Sequence, residues 1–264
     1  MGSVLQSEDR VIVLRSVNYQ ERDRIVTGLS EGRGKVTARA HHAIQSKRFG
    51  GGLELFTLGR WSLTFKNDQE FGTVLSVDAQ YDFPALRTDL DRLALASFLA
   101  EVFLRLELPN EPAPELFKLL VNTLRALENC PVERGITVIN AFLAKLLFAL
   151  GHHPAFHACD QCGLRLSEMT APEVAVGTQN VVLWCVNCPR TEGVLLSRTL
   201  IEEYLTVFSQ PVRLAAAQVT TTPDDQLKLF RVLLRVIAFH IPGLDPTTTH
   251  SFQSLRFLQL EGEA

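Results

Sequence analysis

No stretch of this chain approaches eighteen consecutive apolar residues free of charge, which argues against a membrane-spanning helix. Met1-Gly2-Ser3 is followed by no apolar run of signal-peptide type, so a soluble, cytoplasmic protein with no membrane partner is expected. Cysteine is scarce, with five in 264 residues, and a disulfide framework is not expected in a reducing compartment. There is no GxGxxG, P-loop, HExxH or GxSxG, and Gly50-Gly51-Gly52 opens no helix that could hold a phosphate. An enzyme is therefore not expected, and Glu101, Glu202 and Glu203 read as solvated helix carboxylates. Internal repeats and low-complexity linkers are also missing. With 46% hydrophobic and 21% charged residues, the chain can bury a sizeable core.

Positive charge is in short supply overall, since the formal net charge is -3. The average hides an asymmetry. Between Arg33 and Lys66 stand seven cations and the single acid Glu54, a local net of +6 that leaves -9 for the remainder. One module thus has the charge to face phosphate while the rest does not.

The first eighty residues alternate apolar and polar side chains in short runs: Arg10 to Ser16, Asp23 to Leu29, Lys35 to Ala40, Arg60 to Phe65 and Gly72 to Val77. Gly32-Arg33-Gly34 and Lys66-Asn67-Asp68 are the turn signals between them. About five strands fit a small closed barrel, an OB-fold first and an SH3-like barrel as the alternative. The period then changes to helical. Thr88, with Asp91 three residues on, predicts an N-cap for a helix of about five turns, and helices are expected over Glu115 to Asn129 and Val132 to Leu150, the latter stopped by Gly151. Further helices are expected over Ser197 to Phe208, Asp224 to Ile241 and Ser251 to Leu260. The fold class is α+β: an OB-fold barrel over residues 1–82, and a helical domain over 83–153 and 193–264 with a zinc-binding module over 154–192 inserted into it.

That module carries the strongest local signal, Cys159-Asp160-Gln161-Cys162 and then Cys185-Val186-Asn187-Cys188. Two residues between cysteines let one tight turn present both thiolates, and two such knuckles complete a closed tetrahedral site for one structural zinc ion. Gly163 and Pro189 suit the turns, and the spacing, slightly long for such ribbons, permits a small hairpin between the knuckles. Four thiolates leave no open coordination position, which points to structure and not catalysis. Cys130 reads as a structural thiol, and His152, His153 and His157 as surface or capping residues.

The basic segment interleaves cations with aromatics: Arg39-Ala40-His41-His42, Lys47-Arg48-Phe49, Arg60-Trp61 and Phe65-Lys66. Cations neutralise phosphates and aromatic faces stack on unpaired bases. Trp61 and Phe65 are expected in the barrel core, and the cations on DNA. The order of parts resembles the RecO family of bacterial DNA repair proteins over nearly the whole chain. The likeness is carried by Val11 to Arg15, Asn18-Tyr19-Gln20-Glu21-Arg22-Asp23-Arg24-Ile25-Val26, Gly34-Lys35-Val36, Arg48-Phe49-Gly50-Gly51-Gly52-Leu53-Glu54-Leu55-Phe56 and the cysteine pairs, which match family members that retain zinc. The resemblance implies a nucleoid-associated recombination mediator that binds single- and double-stranded DNA and anneals complementary strands. It implies work with RecR on strands coated by single-strand-binding protein, so that RecA is loaded. The candidate DNA contacts are Arg15, Arg33, Lys35, Arg39, Lys47, Arg48, Arg60 and Lys66, foremost Lys35, Arg39, Lys47 and Arg48, which the resemblance places on the family's basic turn-and-strand region. Arg125, Arg134 and Lys145 are candidates for the tail of single-strand-binding protein. An RNA- or ribosome-associated OB-fold assembly factor with a structural zinc ribbon is the alternative.

Overall fold

A computed structural model of the chain describes residues 4–44, 46–66, 71–108, 111–152, 154–177, 182–190, 193–242, 244 and 251. It divides into two compact units, Met1–Asp89 with Ser97–Val121, and Leu90–Ala96 with Asn122–Ala264. Among the described residues no helix is long and apolar enough to cross a membrane.

The first unit is built on five strands, β1 (Val4–Tyr19), β2 (Asp23–Ser30), β3 (Gly34–Ala40), β4 (Leu58–Lys66) and β5 (Phe71–Tyr81). They close in the order β1-β2-β3-β5-β4, with β3 and β5 parallel and the other pairs antiparallel. This is the OB-fold arrangement. β1 is longer than its apolar alternation suggested because it serves two partners, β4 through Val4 to Ile12 and β2 through Val11 to Tyr19. A bulge between Val13 and Arg15 turns it from one to the other. Where β1 and β2 cross closely, a Cβ on Gly28 would stand 2.4 Å from Cγ1 of Val11 and 2.9 Å from the Ile12 carbonyl oxygen, so only glycine fits. Val11, Val13, Val26, Val36, Ala38, Trp61, Leu63, Phe65 and Val74 fill the interior, and Phe49 and Leu53 of the β3–β4 connection join them. Trp61 and Phe65 are therefore core residues, at 0% and 5% exposure.

The helices are α1 (Pro84–Thr88), α2 (Leu90–Arg105), α3 (Pro114–Asn129), α4 (Gly135–Ala149), α5 (Arg198–Ser209), α6 (Val212–Gln218) and α7 (Pro223–His240). Thr88 does not cap α2. It closes the separate short α1, where its hydroxyl donates to the Ala85 carbonyl at 3.3 Å, and extended Asp89 follows. The extra break arises because Phe83-Pro84 starts a helix of its own. Gly151, at φ 79°, ends the α4 segment as expected, with the His152 N–H reaching back to the Leu147 carbonyl at 2.8 Å. α4 is apolar almost all round and packs against α5, α6 and α7. Ser197 caps α5, and Thr222 caps α7 in a capping box with Asp225. Glu203 is not a solvated carboxylate: it accepts from the backbone and hydroxyl of both Thr220 and Thr221, stapling the α6–α7 connection to α5. Burial alone would raise its pKa, but the threonine hydroxyls and N–H groups outweigh this and hold the carboxyl below its usual range. The expected Ser251 to Leu260 helix lies outside the described residues beyond Ser251, as does His153.

The insert holding the cysteines is a four-stranded sheet in the order β6-β8-β7-β9, from β6 (Ala155–Cys159), β7 (Glu173–Val176), β8 (Val182–Trp184) and β9 (Val194–Ser197). β7 and β8 pair antiparallel, the hairpin that the spacing between the knuckles permits. β6 and β9 were not visible to periodicity because strands of four or five residues hold too few alternations. β9 and α6 are additions to the sequence reading, and β9 lies past residue 192.

Candidate metal centre and nucleic-acid interface

β6 runs parallel to β8 with Cys159 in register with Leu183, and this pairing brings the two knuckles together. The first knuckle turns through Gly163, at φ 72°, whose N–H donates to the Cys159 carbonyl at 2.9 Å. In the second, the Cys188 N–H donates to the Cys185 carbonyl at 3.3 Å. All four sulfurs lie within 4.8 Å of one another. Cys159 Sγ stands 3.8 Å from Cys188 Sγ, and Cys162 Sγ stands 3.8 Å from Cys185 Sγ. Four sulfurs each about 2.3 Å from a central ion stand about 3.8 Å apart along the tetrahedron's edges, so the set fits a tetrahedral thiophilic cation.

The electrostatics agree. Burial opposes ionisation of Cys159, but the backbone N–H groups of Cys185, Cys162 and Gln161 outweigh it and bring the thiol down to about 6. The Cys185 N–H lies 3.3 Å from Cys159 Sγ. Cys188 is pushed up to about 12, first by its contact with Cys185 and then by burial and the other two sulfurs. Four crowded thiolates need a cation among them to coexist. Cys130 is remote from this set and buried, and burial pushes its thiol up.

In the barrel, residues out of phase with the core face outward. Across β1, β2, β3 and β5 the register aligns Arg15, Thr27, Thr37 and Phe71 in one row, and Val17, Ile25, Arg39 and Thr73 in the next. The Thr27 and Thr37 hydroxyls meet at 3.1 Å, placing both on one face. This face carries two exposed aromatics, Tyr19 at 39% and Phe71 at 47% exposure. The outer face of the central strands is the ligand surface of OB-folds. Neither aromatic was singled out by the sequence reading as a contact residue. The available signal was phase: Phe71 alternates with Gly72 and Val74, which point inward, just as Trp61 alternates with Arg60 and Ser62.

The eight cations do not form one group. Arg15 is exposed on this face. Arg39 sits over the Tyr19 ring at 5.1 Å, but its guanidinium is committed to Asp23 at 2.5 Å and Gln20 at 2.9 Å. Asp23 is itself buried and also accepts the His42 N–H at 2.7 Å; that bond, working against burial and aided by Arg39, holds the carboxyl below its usual range. Lys47 and Arg48 are exposed in a 3-10 turn following β3, where the Ser46 hydroxyl accepts the Arg48 N–H. The Ile44 N–H donates to the Arg22 carbonyl at 3.0 Å, tying this connection to the β1–β2 turn. Arg60 and Lys66 are exposed along β4, and Arg33 lies over the Phe65 ring at 4.7 Å. Lys35 is engaged elsewhere: Nζ donates at 2.8 Å to both the Leu104 and Leu106 carbonyls, closing the C-terminus of α2. Burial pulls its pKa down, with Glu107 acting in opposition. Of the candidates for a protein tail, Arg134 donates to the Val219 carbonyl at 3.0 Å.

Two family models match the chain. Residues 3–81 match the N-terminal region of recombination protein O, and residues 87–249 match its C-terminal region. A DNA repair protein RecO of Anaeromyxobacter dehalogenans is 40% identical over 158 residues, covering 60% of this chain and 61% of that protein. One from Myxococcus xanthus is 38% identical over 160 residues, covering 59% and 63%. One from Desulfatibacillum aliphaticivorans is 29% identical over 255 residues, covering 94% of each chain. The match to the Anaeromyxobacter relative thus spans about three-fifths of that protein's length.

Proposed function

The chain belongs to the recombination protein O family, whose two models match nearly its full length, and from that premise we propose that it is a DNA-binding recombination mediator in DNA repair. The observation that carries the reading is the barrel face on which Tyr19 and Phe71 stand exposed, with Arg15 at the other end of the register row that Phe71 closes. Stacking on Tyr19 and Phe71 grips unpaired bases by their faces, while Arg15, Lys47 and Arg48 neutralise phosphates at the face and its rim. A base held by its face keeps its pairing edge free. A second strand can then anneal to it once charge repulsion between strands is lowered, with no bond made or broken in the protein. Double-stranded DNA is bound through the same cations, with the aromatics idle.

Arg39 packs on one face of the Tyr19 ring and is not itself a phosphate ligand, because Asp23 offsets its charge. Lys35 is likewise an internal cap. The partners in this reading are RecR, strands coated by single-strand-binding protein, and RecA, which is loaded as the outcome. The four cysteines hold one zinc ion in a closed cage that shapes the insert and leaves no coordination position for a substrate.

The test is annealing of complementary DNA oligonucleotides, with and without single-strand-binding protein, by the parent and by the Tyr19→Ala/Phe71→Ala variant. The parent is expected to accelerate annealing and the variant to lose most of that acceleration. A parent that binds RNA oligonucleotides but neither binds nor anneals DNA would overturn the reading.

A further inference from the structure

The knuckle side of the cysteine insert holds an open pocket of about 320 Å³, lined by Asp160, Gln161, Trp184, Pro189 and Arg190. Its size falls within the usual range for pockets that take a small organic group, about 300–1,000 Å³. The one aromatic ring in its lining is Trp184, which the sheet makes room for. Trp184 pairs with Ala175 across the β7–β8 hairpin, on the face opposite buried Leu183. A Cβ on Gly177 would stand 3.0 Å from Cη2 of Trp184, and one on Gly193 would stand 3.4 Å from its Cζ3. The missing side chains at Gly177 and Gly193 leave room for the edge of the ring, and Trp184 also lines the pocket. At the rim, Asp160, Gln161 and Arg190 are all exposed.

We propose that this pocket is a second nucleobase-binding site, in which an unpaired base of single-stranded DNA stacks on Trp184. Pro189 borders the base, the Gln161 amide and Asp160 carboxylate offer hydrogen bonds to its edge, and the Arg190 guanidinium meets the adjoining phosphate. A flat aromatic wall with polar groups at its margin and one cation at the mouth is the composition that sequence-tolerant strand binding calls for. An apolar peptide side chain would use the indole alone and make nothing of the exposed carboxylate, amide and guanidinium around it. The closed thiolate cage gives the pocket its rigidity, because Asp160 and Gln161 lie between two cage cysteines and Pro189 follows a third. The cage then contributes to binding without itself touching the ligand.

The inference rests on the DNA-binding reading, and one titration separates the two. The only other tryptophan, Trp61, is fully buried in the barrel core, so ligand-dependent tryptophan emission reports Trp184. Dye-labelled oligothymidylate would be followed by anisotropy for overall binding, and unlabelled strand by tryptophan emission, in the full chain with its metal. Expected is quenching that saturates with the anisotropy, a weaker Kd by anisotropy in Trp184→Ala, and roughly three- to tenfold more DNA needed in Arg190→Ala, in line with the loss of one phosphate contact. Thermal melting and zinc content equal to the parent's would show that both variants keep the fold. Anisotropy that rises while emission and its quenching by acrylamide stay unchanged overturns the pocket and leaves the DNA reading standing. No rise in anisotropy overturns both.

Discussion

Truncating Tyr19 and Phe71 together to alanine separates stacking from charge on the open barrel face. Base–aromatic stacking contributes about 1–3 kcal/mol per base, so losing two platforms costs about 2 kcal/mol at the low end, roughly thirtyfold in Kd for single-stranded DNA. The fold should tolerate the change, since both rings are more than a third exposed and neither belongs to the barrel core. Charge reads out separately. Each cation on a single-strand phosphate contributes about -0.7 to the slope of log affinity against log salt, so Arg15, Lys47 and Arg48 on the barrel together give about -2, and Arg190 at the second site adds about -0.7. Had five of the cations from the sequence reading touched phosphate, the slope would be about -3.5. The double aromatic variant should keep the slope and lose affinity at every salt concentration. Arg15→Gln should flatten the slope by about 0.7. The assay is anisotropy of labelled oligothymidylate over a salt series, with thermal melting as the folding control. A folded double variant that binds as tightly as the parent would rule out stacking on these rings, and a slope unchanged in Arg15→Gln would rule out its phosphate contact.

Lys35→Met keeps the aliphatic stem but strips the donors from the Leu104 and Leu106 carbonyls, so a loss of about 1–3 kcal/mol in unfolding free energy is expected with an unchanged salt slope. An intact melting curve with a flatter slope would return Lys35 to the DNA contacts. Cys159→Ser should lose bound zinc by elemental analysis together with amide-exchange protection across β6 to β8, because metal binding and folding of such a site are one equilibrium. Full protection without metal would contradict the cage. Asp23 has its folded pKa depressed, so its stabilising contribution is present above its unfolded-state pKa and is lost as pH falls through the lower folded value. Asp23→Asn should therefore flatten stability against pH in that acidic window alone, and an unchanged acid limb in urea melts would count against the pairing with Arg39 and His42.

Local pattern determined much of this protein from its residues alone. Alternation at period two marks strands wherever one face is buried, so all five barrel strands were legible, and the change to period 3.6 marked the longer helices. The four cysteines were legible because a tight turn fixes the geometry within each pair. The resemblance to a repair family was likewise in the chain, in runs such as Tyr19 to Val26 and Arg48 to Phe56. What each cation and aromatic does was decided only by tertiary structure. Phe71 becomes a candidate ligand surface because the parallel β3–β5 pairing sets it beside Thr37, residues more than thirty positions apart. Lys35 looks like any basic strand residue until the end of α2 arrives beside it, and Glu203 looks solvated until Thr220 and Thr221 fold back onto it. Periodicity tells which way a side chain points. Only the closed fold tells what stands there to meet it.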